Sequence, residues 1–237
     1  MKKSLIIIAS LLTVGMLIYL NYNDNKSEEV GLAESSVKLD QTQLGTEEKM
    51  DEIVTKVDFT RIYNSIEDLT EDASLIIEGK VLETESFNWQ VGEDRTVYTK
   101  VNVEVEKVLK GDVQVGQVLT VMEPGGITTK EEAGIGKKFK DYPKEQLKEK
   151  VKVVFNGVPN MEMNDKVLLF ADKTDFFASS LNEEHYVVLG AHQGKFNIKN
   201  GKVSRFVPPQ AEGDYSPLEM SELAAYQKVK KLINEKL

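Results

Sequence analysis

From Val97 to Glu106 the chain alternates without a break. Val97, Thr99, Val101, Val103 and Val105 take every second position, and Tyr98, Lys100, Asn102, Glu104 and Glu106 fill the others. A helix would scatter those valines around its axis, whereas a strand collects them on one face. The pattern therefore predicts a half-buried antiparallel strand. Comparable β-favouring runs occur at 75–81 (LIIEGKV, continuing toward Trp89), 118–122, 152–155, 166–171 (KVLLFA), 185–189, 195–198 and 202–206. Turn residues separate them: 92–95 (GEDR), 110–112 (KGD), 124–126 (PGG) and Asn200-Gly201, a pair suited to a tight hairpin turn with positive φ. Ser65 and Asp68 form a capping box that predicts a short helix over 66–73. Ser216, Pro217 and Glu219 predict the start of a C-terminal helix, whose apolar stripe is Leu218, Leu223, Tyr226, Val229, Leu232 and Ile233. Seven or eight short strands without a repeat predict a mainly β domain over 56–210. It is expected to be an antiparallel barrel or small sandwich, with the helix of 211–237 packed on it.

Ahead of that domain lies an apolar, uncharged run, 5–20 (LIIIASLLTVGMLIYL), preceded by Lys2 and Lys3 and followed by Asn21, Tyr22, Asn23 and Asp24. As a helix it would span roughly 24 Å, close to the ~30 Å bilayer core. The flanking charges predict a signal-anchor with its N-terminus in the cytoplasm and the rest of the chain exported. No small-x-small cleavage site follows Leu20, which favours retention of the anchor over secretion after cleavage. Residues 21–55 are polar and read as a flexible extracytoplasmic tether with a helical stretch possible near 47–57. A tether of that length has an r.m.s. span of about 30–35 Å. The chain has no Cys, so disulfides and thiolate chemistry are excluded. A cysteine-free exported domain fits a Gram-positive-like cell surface. Loss of Lys2 and Lys3 takes the net charge from −9 to −11, which argues against general nucleic-acid binding.

The order of segments carries a family likeness. Residues 73–81 (ASLIIEGKV), 98–112 (YTKVNVEVEKVLKGD), 116–126 (GQVLTVMEPGG), 164–171 (NDKVLLFA) and 193–203 (QGKFNIKNGKV) follow in turn. Together they resemble a group of uncharacterised exported or membrane-anchored proteins of Firmicutes, which share the phrases G-x-V, V-L-K-G-D, P-G-G, G-x-x-L-L-F and Q-G-K-F. More distantly the order is similar to netrin-like domains, including tissue inhibitors of metalloproteinases. That resemblance implies an OB-like barrel with flanking helices. Those inhibitors place an N-terminal Cys on the protease zinc; this chain has none, so the likeness implies a fold and not that inhibition.

Residues able to carry chemistry are sparse. His185 and His192 lie seven apart, without metal-site spacing. Ser179 and Ser180 lack a nucleophile-elbow context. Glu78, Glu83, Glu85 and Asp94 could form a carboxylate pair, but they read more simply as a solvated strand face. Gly125-Gly126 could let a ligand approach the backbone and reads more simply as a turn. No cofactor or metal is expected. Two features remain as contact candidates. Phe87 and Trp89 share one face at a strand end, where OB-like barrels use aromatics for stacking. Residues 137–152 carry a net +4 within an acidic chain; Lys137, Lys138, Lys140, Lys144 and Tyr142 are the contacts expected there, with Phe139 among them. They suit lipid headgroups or an anionic envelope polymer. The expectation is a non-catalytic, membrane-tethered binding module. The alternatives are an accessory subunit held to a membrane partner by the C-terminal stripe and, with less support, an envelope hydrolase or protease inhibitor.

Overall fold

Two seventeen-residue strands, β3 (Leu75–Val91) and β4 (Asp94–Lys110), pair antiparallel along their length. Register shifts near Ile76, Glu78 and Val81 mark bulges, which bend a strand and increase its twist. The structure is a computed structural model that describes residues 18–19, 50–56, 59–91, 94–206 and 218–235. Around the long hairpin the larger sheet runs in the order β12 (Glu219–Ser221), β11 (Lys202–Arg205), β10 (Lys195–Lys199), β8 (Lys166–Thr174), β3, β4, β5 (Val118–Pro124), β9 (His185–Val188). β9 also pairs back onto β8, so the hydrogen bonding of β8, β3, β4, β5 and β9 runs in a closed cycle. β5 and β9 are parallel; the other neighbours in this sheet are antiparallel.

The period-two pattern explains the core. Val101, Val103 and Val105 meet Leu75, Ile77, Leu119, Val121, Leu169 and Val188 in one cluster supplied by all five strands of the cycle. β8 is apolar on both faces because a second cluster backs it. Leu168 and Phe170 pack with Ile76 and Phe196 beneath α1 (Ile66–Asp72) and α3 (Glu222–Asn234). The capping box is present: the Asp68 amide donates to Ser65 Oγ at 3.0 Å. The Asn200-Gly201 turn has φ of 53° and 72°. The C-terminal helix starts later than expected. Its cap is Ser221, whose Oγ accepts from the Ala224 amide, and 219–221 pair with β11 instead. Ser216 and Pro217 lie outside the described residues. Ala225, Tyr226 and Val229 are buried against the domain, while Leu223 turns to solvent and drops out of the stripe.

A second, smaller sheet was not anticipated. β2 (Asp51–Thr55) runs parallel to β7 (Lys150–Phe155), which pairs antiparallel with β6 (Gly126–Thr129). β1 (Ile18–Tyr19) lies along the outer edge of β2. Residues 51–55, expected to be tether or helix, are thus strand, because β7 satisfies their backbone and Ile53 and Thr55 are buried. Residues 127–150, which show no clear period in sequence, hold the rest of β6, α2 (Ile135–Lys138) and a single 3-10 turn at 146–148. Apart from Ile18 and Tyr19, which are extended, the expected membrane run lies outside the described residues, as does 21–49. Among the described residues no helix is long and apolar enough to cross a membrane. A third cluster, Ile53, Val97, Ile135, Val151 and Val153, fastens the small sheet to the far end of the β3–β4 hairpin.

Glu78 corrects another expectation. It is not on a solvated face but is almost fully buried. Its carboxylate accepts from Lys107 Nζ at 2.7 Å, Lys166 Nζ at 2.5 Å and the Tyr226 hydroxyl, which ties α3 to the hairpin. Burial alone would raise its pKa; the three donors outweigh that and hold it below its ordinary value. A depressed carboxyl contributes stability above its unfolded pKa and loses it as pH falls through the folded one. Glu78→Gln is therefore expected to cost about 2–3 kcal/mol at neutral pH. In urea melts the gap to wild type should narrow below the ordinary carboxyl range near 4.5. A gap that stays constant down to acid pH would show that the charge is not what matters.

Candidate functional site

Strand alternation at the far end of the hairpin points Phe87, Trp89 and Tyr98 one way and Ser86, Asn88 and Val97 the other. Residues 175–184, which join β8 to β9, come over the first face. Phe176 sits 4.6 Å from Trp89 between ring centroids, and Phe177 lies edge-on to Tyr98 at 4.7 Å and to Trp89 at 5.3 Å. Phe177 is the buried peg of this group. Its amide donates to His185 Nε2 at 3.2 Å, and His185 Nδ1 lies 2.9 Å from the Glu183 carbonyl. That pairing places the ring proton on Nδ1 and leaves His185 a structural role. Phe176 is 55% exposed and forms the outer lip. Trp89 is half-buried, and its Nε1 has no hydrogen-bond partner among the described residues. The two aromatics expected from the sequence are therefore together, and Tyr98, Phe176 and Phe177 complete the cluster. The FF pair at 176–177 was the available signal for the missing members.

The opposite face receives the small sheet. Ser86 Oγ accepts from the Ile127 amide at 2.9 Å, and Thr128 Oγ1 donates to Asn88 Oδ1 at 2.8 Å. Beyond β6 runs the lysine-rich segment. Its foundation is Lys130, buried with Nζ 2.7 Å from Asp51 and 2.8 Å from Glu149, and 5.9 Å from the centroid of the Tyr142 ring. Burial would lower the Lys130 pKa, but its two carboxylates and Tyr142 drive it upward, so it is charged throughout the physiological range. Lys137, Lys138, Lys140 and Lys144 are exposed, and Phe139 is 38% exposed among them. Tyr142, expected as a surface contact, instead packs with Leu147 onto the third core cluster. The two contact candidates thus sit on opposite faces of one hairpin and do not form a single site.

A third polar assembly had no sequence signal beyond a lysine in a strand. Lys195 Nζ, at the start of β10, lies 2.6 Å from Glu123 Oε1 at the end of β5 and 2.7 Å from the Pro159 carbonyl. The Met161 amide donates to Glu123 Oε2 at 2.7 Å. Both charges are more than nine-tenths buried. They hold the β7–β8 loop against a half-open cavity of about 280 Å³ lined by Pro159, Asn160, Glu162, Lys195 and Phe206, among others. Nearby, Gln193 and Arg205 grip the segment before α1. Gln193 Oε1 accepts from the Tyr63 amide at 2.7 Å, and Arg205 donates to the Tyr63 carbonyl at 2.5 Å. Burial, then Lys195 and Arg205, push the His192 pKa down to about 4, so the ring is neutral near pH 7. Among the described residues no three His, Cys, Asp or Glu gather to hold a metal ion.

No family model matches the chain, and no characterised protein matches it in sequence.

Proposed function

We propose that the protein is a membrane-tethered, extracytoplasmic binding module without catalytic activity of its own, built on an OB-like barrel. The apolar run 5–20 anchors it with the N-terminus in the cytoplasm, and its last described residues, Ile18 and Tyr19, pair with β2, so the anchor leads into the domain at the small sheet. The barrel reading draws support from the closed cycle of β8, β3, β4, β5 and β9, with its single parallel pair β5–β9. OB-like barrels bind oligosaccharides and oligonucleotides with the loops joining their first and second, and fourth and fifth, strands. Here those are the β3–β4 turn and residues 175–184. The observation that carries the proposal is the half-exposed stack of Phe176 on Trp89 between those two loops. An acidic chain repels nucleic acid, so the sugar rings of an envelope polymer are the ligand class that fits. The absence of catalysis is supported by the commitment of the buried groups: Glu78 and Glu123 are each held by lysine, and His185 by backbone.

Trp89 is the only tryptophan, so its emission reports this site alone. Titrating the full chain with soluble cell-wall glycan fragments should shift that emission saturably. Phe176→Ala should weaken the binding roughly tenfold, the order of one lost aromatic stack. An emission unchanged by any fragment would overturn the ligand class.

A further inference from the structure

We propose that the lysine-bearing edge of the small sheet seats on the anionic headgroups of the membrane that anchors the chain. The seat deepens the binding-module reading and rests on it for the anchor. The first support is where the chain rejoins the domain. After 21–49 it returns at β2, and Asp51, the first residue of that strand, pairs with Lys130 at the root of the lysine segment. β2 also runs beside β7 in parallel, with Asp51 opposite Val151, within the last residues of that segment. Ile18 and Tyr19, at the end of the apolar run, pair with β2 as well, so the chain meets the small sheet beside the lysines on both sides of 21–49.

The second support is charge. A chain of net −9 is repelled by an anionic surface, yet residues 137–152 carry +4, so the field favours one orientation, with this edge down. The third is chemistry. Phe139 stands exposed between Lys138 and Lys140, an apolar ring flanked by ammonium groups. That combination suits the headgroup boundary, where the ring buries and the lysine stems extend to the phosphates. Because the small sheet and the aromatic cluster cover opposite faces of the hairpin, the same seat turns Trp89 and Phe176 away from the bilayer.

The lack of cysteine allows a single label to be placed on the full chain. A fluorophore on Lys144→Cys, in vesicles of phosphatidylcholine with about 30% phosphatidylglycerol, should be quenched by a headgroup-borne quencher at low salt. The same label on Val115→Cys, an exposed position on the β4–β5 turn, should not. Quenching should fall away at about 0.5 M salt and in pure phosphatidylcholine. Lys138→Glu with Lys140→Glu should weaken the seated state by about fivefold for each lysine lost, and further for each charge reversed. Equal quenching at both labels, or none from a chain that resists alkaline extraction, overturns the seat and leaves the anchor intact. Binding to soluble wall teichoic acid with no quenching by lipid also overturns it and moves the lysines to that polymer. A chain extracted by alkali removes the anchor itself, and with it the premise.

Discussion

Lys195→Met is expected to destabilise the folded chain by roughly 3–5 kcal/mol, a large part of the stability of an ordinary domain. The substitution is close in volume, so little of the loss comes from packing. It leaves the Glu123 carboxylate buried with only the Met161 amide as partner and removes the donor to the Pro159 carbonyl. A buried carboxylate without its counter-ion is costly in a way that an exposed one is not. The mirror change, Glu123→Gln, should be of similar size because it leaves the ammonium without its counter-ion. The combined variant should lose less than the sum of the two, by about 1–3 kcal/mol. Urea denaturation of all four proteins measures this. Strict additivity would mean that the two groups act separately and that the 2.6 Å contact does not couple them.

Gly125→Ala is expected to cost a comparable amount, roughly 3–5 kcal/mol, through a different mechanism. Gly125 has φ of +93°, and a Cβ built on it would lie 2.7 Å from the Val153 carbonyl oxygen on β7. The neighbour is backbone held in two strand pairings, so it cannot step aside. At this point the chain leaves the large sheet at β5 and enters the small one at β6, and only a residue without a side chain permits so close a crossing. Gly116 supplies the control. Its φ is +83°, but nothing lies within 4 Å of its virtual Cβ. Gly116→Ala should therefore show the conformational cost alone, about 1–2 kcal/mol. Thermal melts in which both variants lose the same amount would remove the clash from the explanation.

The strands of the large sheet were legible because their signal is local. Alternation at 97–105, the run at 166–171, the capping box at Ser65 and the turn at Asn200-Gly201 each depend on residues a few positions apart. The small sheet was not legible for the opposite reason. β2 and β7 are joined in parallel across nearly a hundred residues, and no turn announces that pairing. Its β6 is four residues of GITT, too short to show a period. The starting point of α3 was misjudged because the capping pattern at Ser216 is local, whereas pairing with β11 claims 219–221 as strand and leaves Ser221 to cap the helix.

The candidate site divides in the same way. Phe87 and Trp89 share a face by strand geometry, and the exposed lysines by their density; both follow from sequence alone. That Phe176 and Phe177 close over the aromatics depends on where the β8–β9 loop returns. Tyr142 was taken for a surface contact because it lies among charges, yet Ile135 and Val151 draw it inward. Glu78 and Glu123 look like any other strand carboxylates in a chain with 39 acidic residues. Their partners come from segments up to 148 positions away. Sequence by itself determined the strands of the closed cycle and the hairpin β10–β11, their buried faces, the turns and the charge of the 137–152 segment, because propensity, periodicity and charge are properties of neighbours along the chain. Tertiary structure alone decided the second sheet, the burial of two carboxylates and the opposed placement of the aromatic and basic faces, because each depends on which distant segment arrives to exclude water.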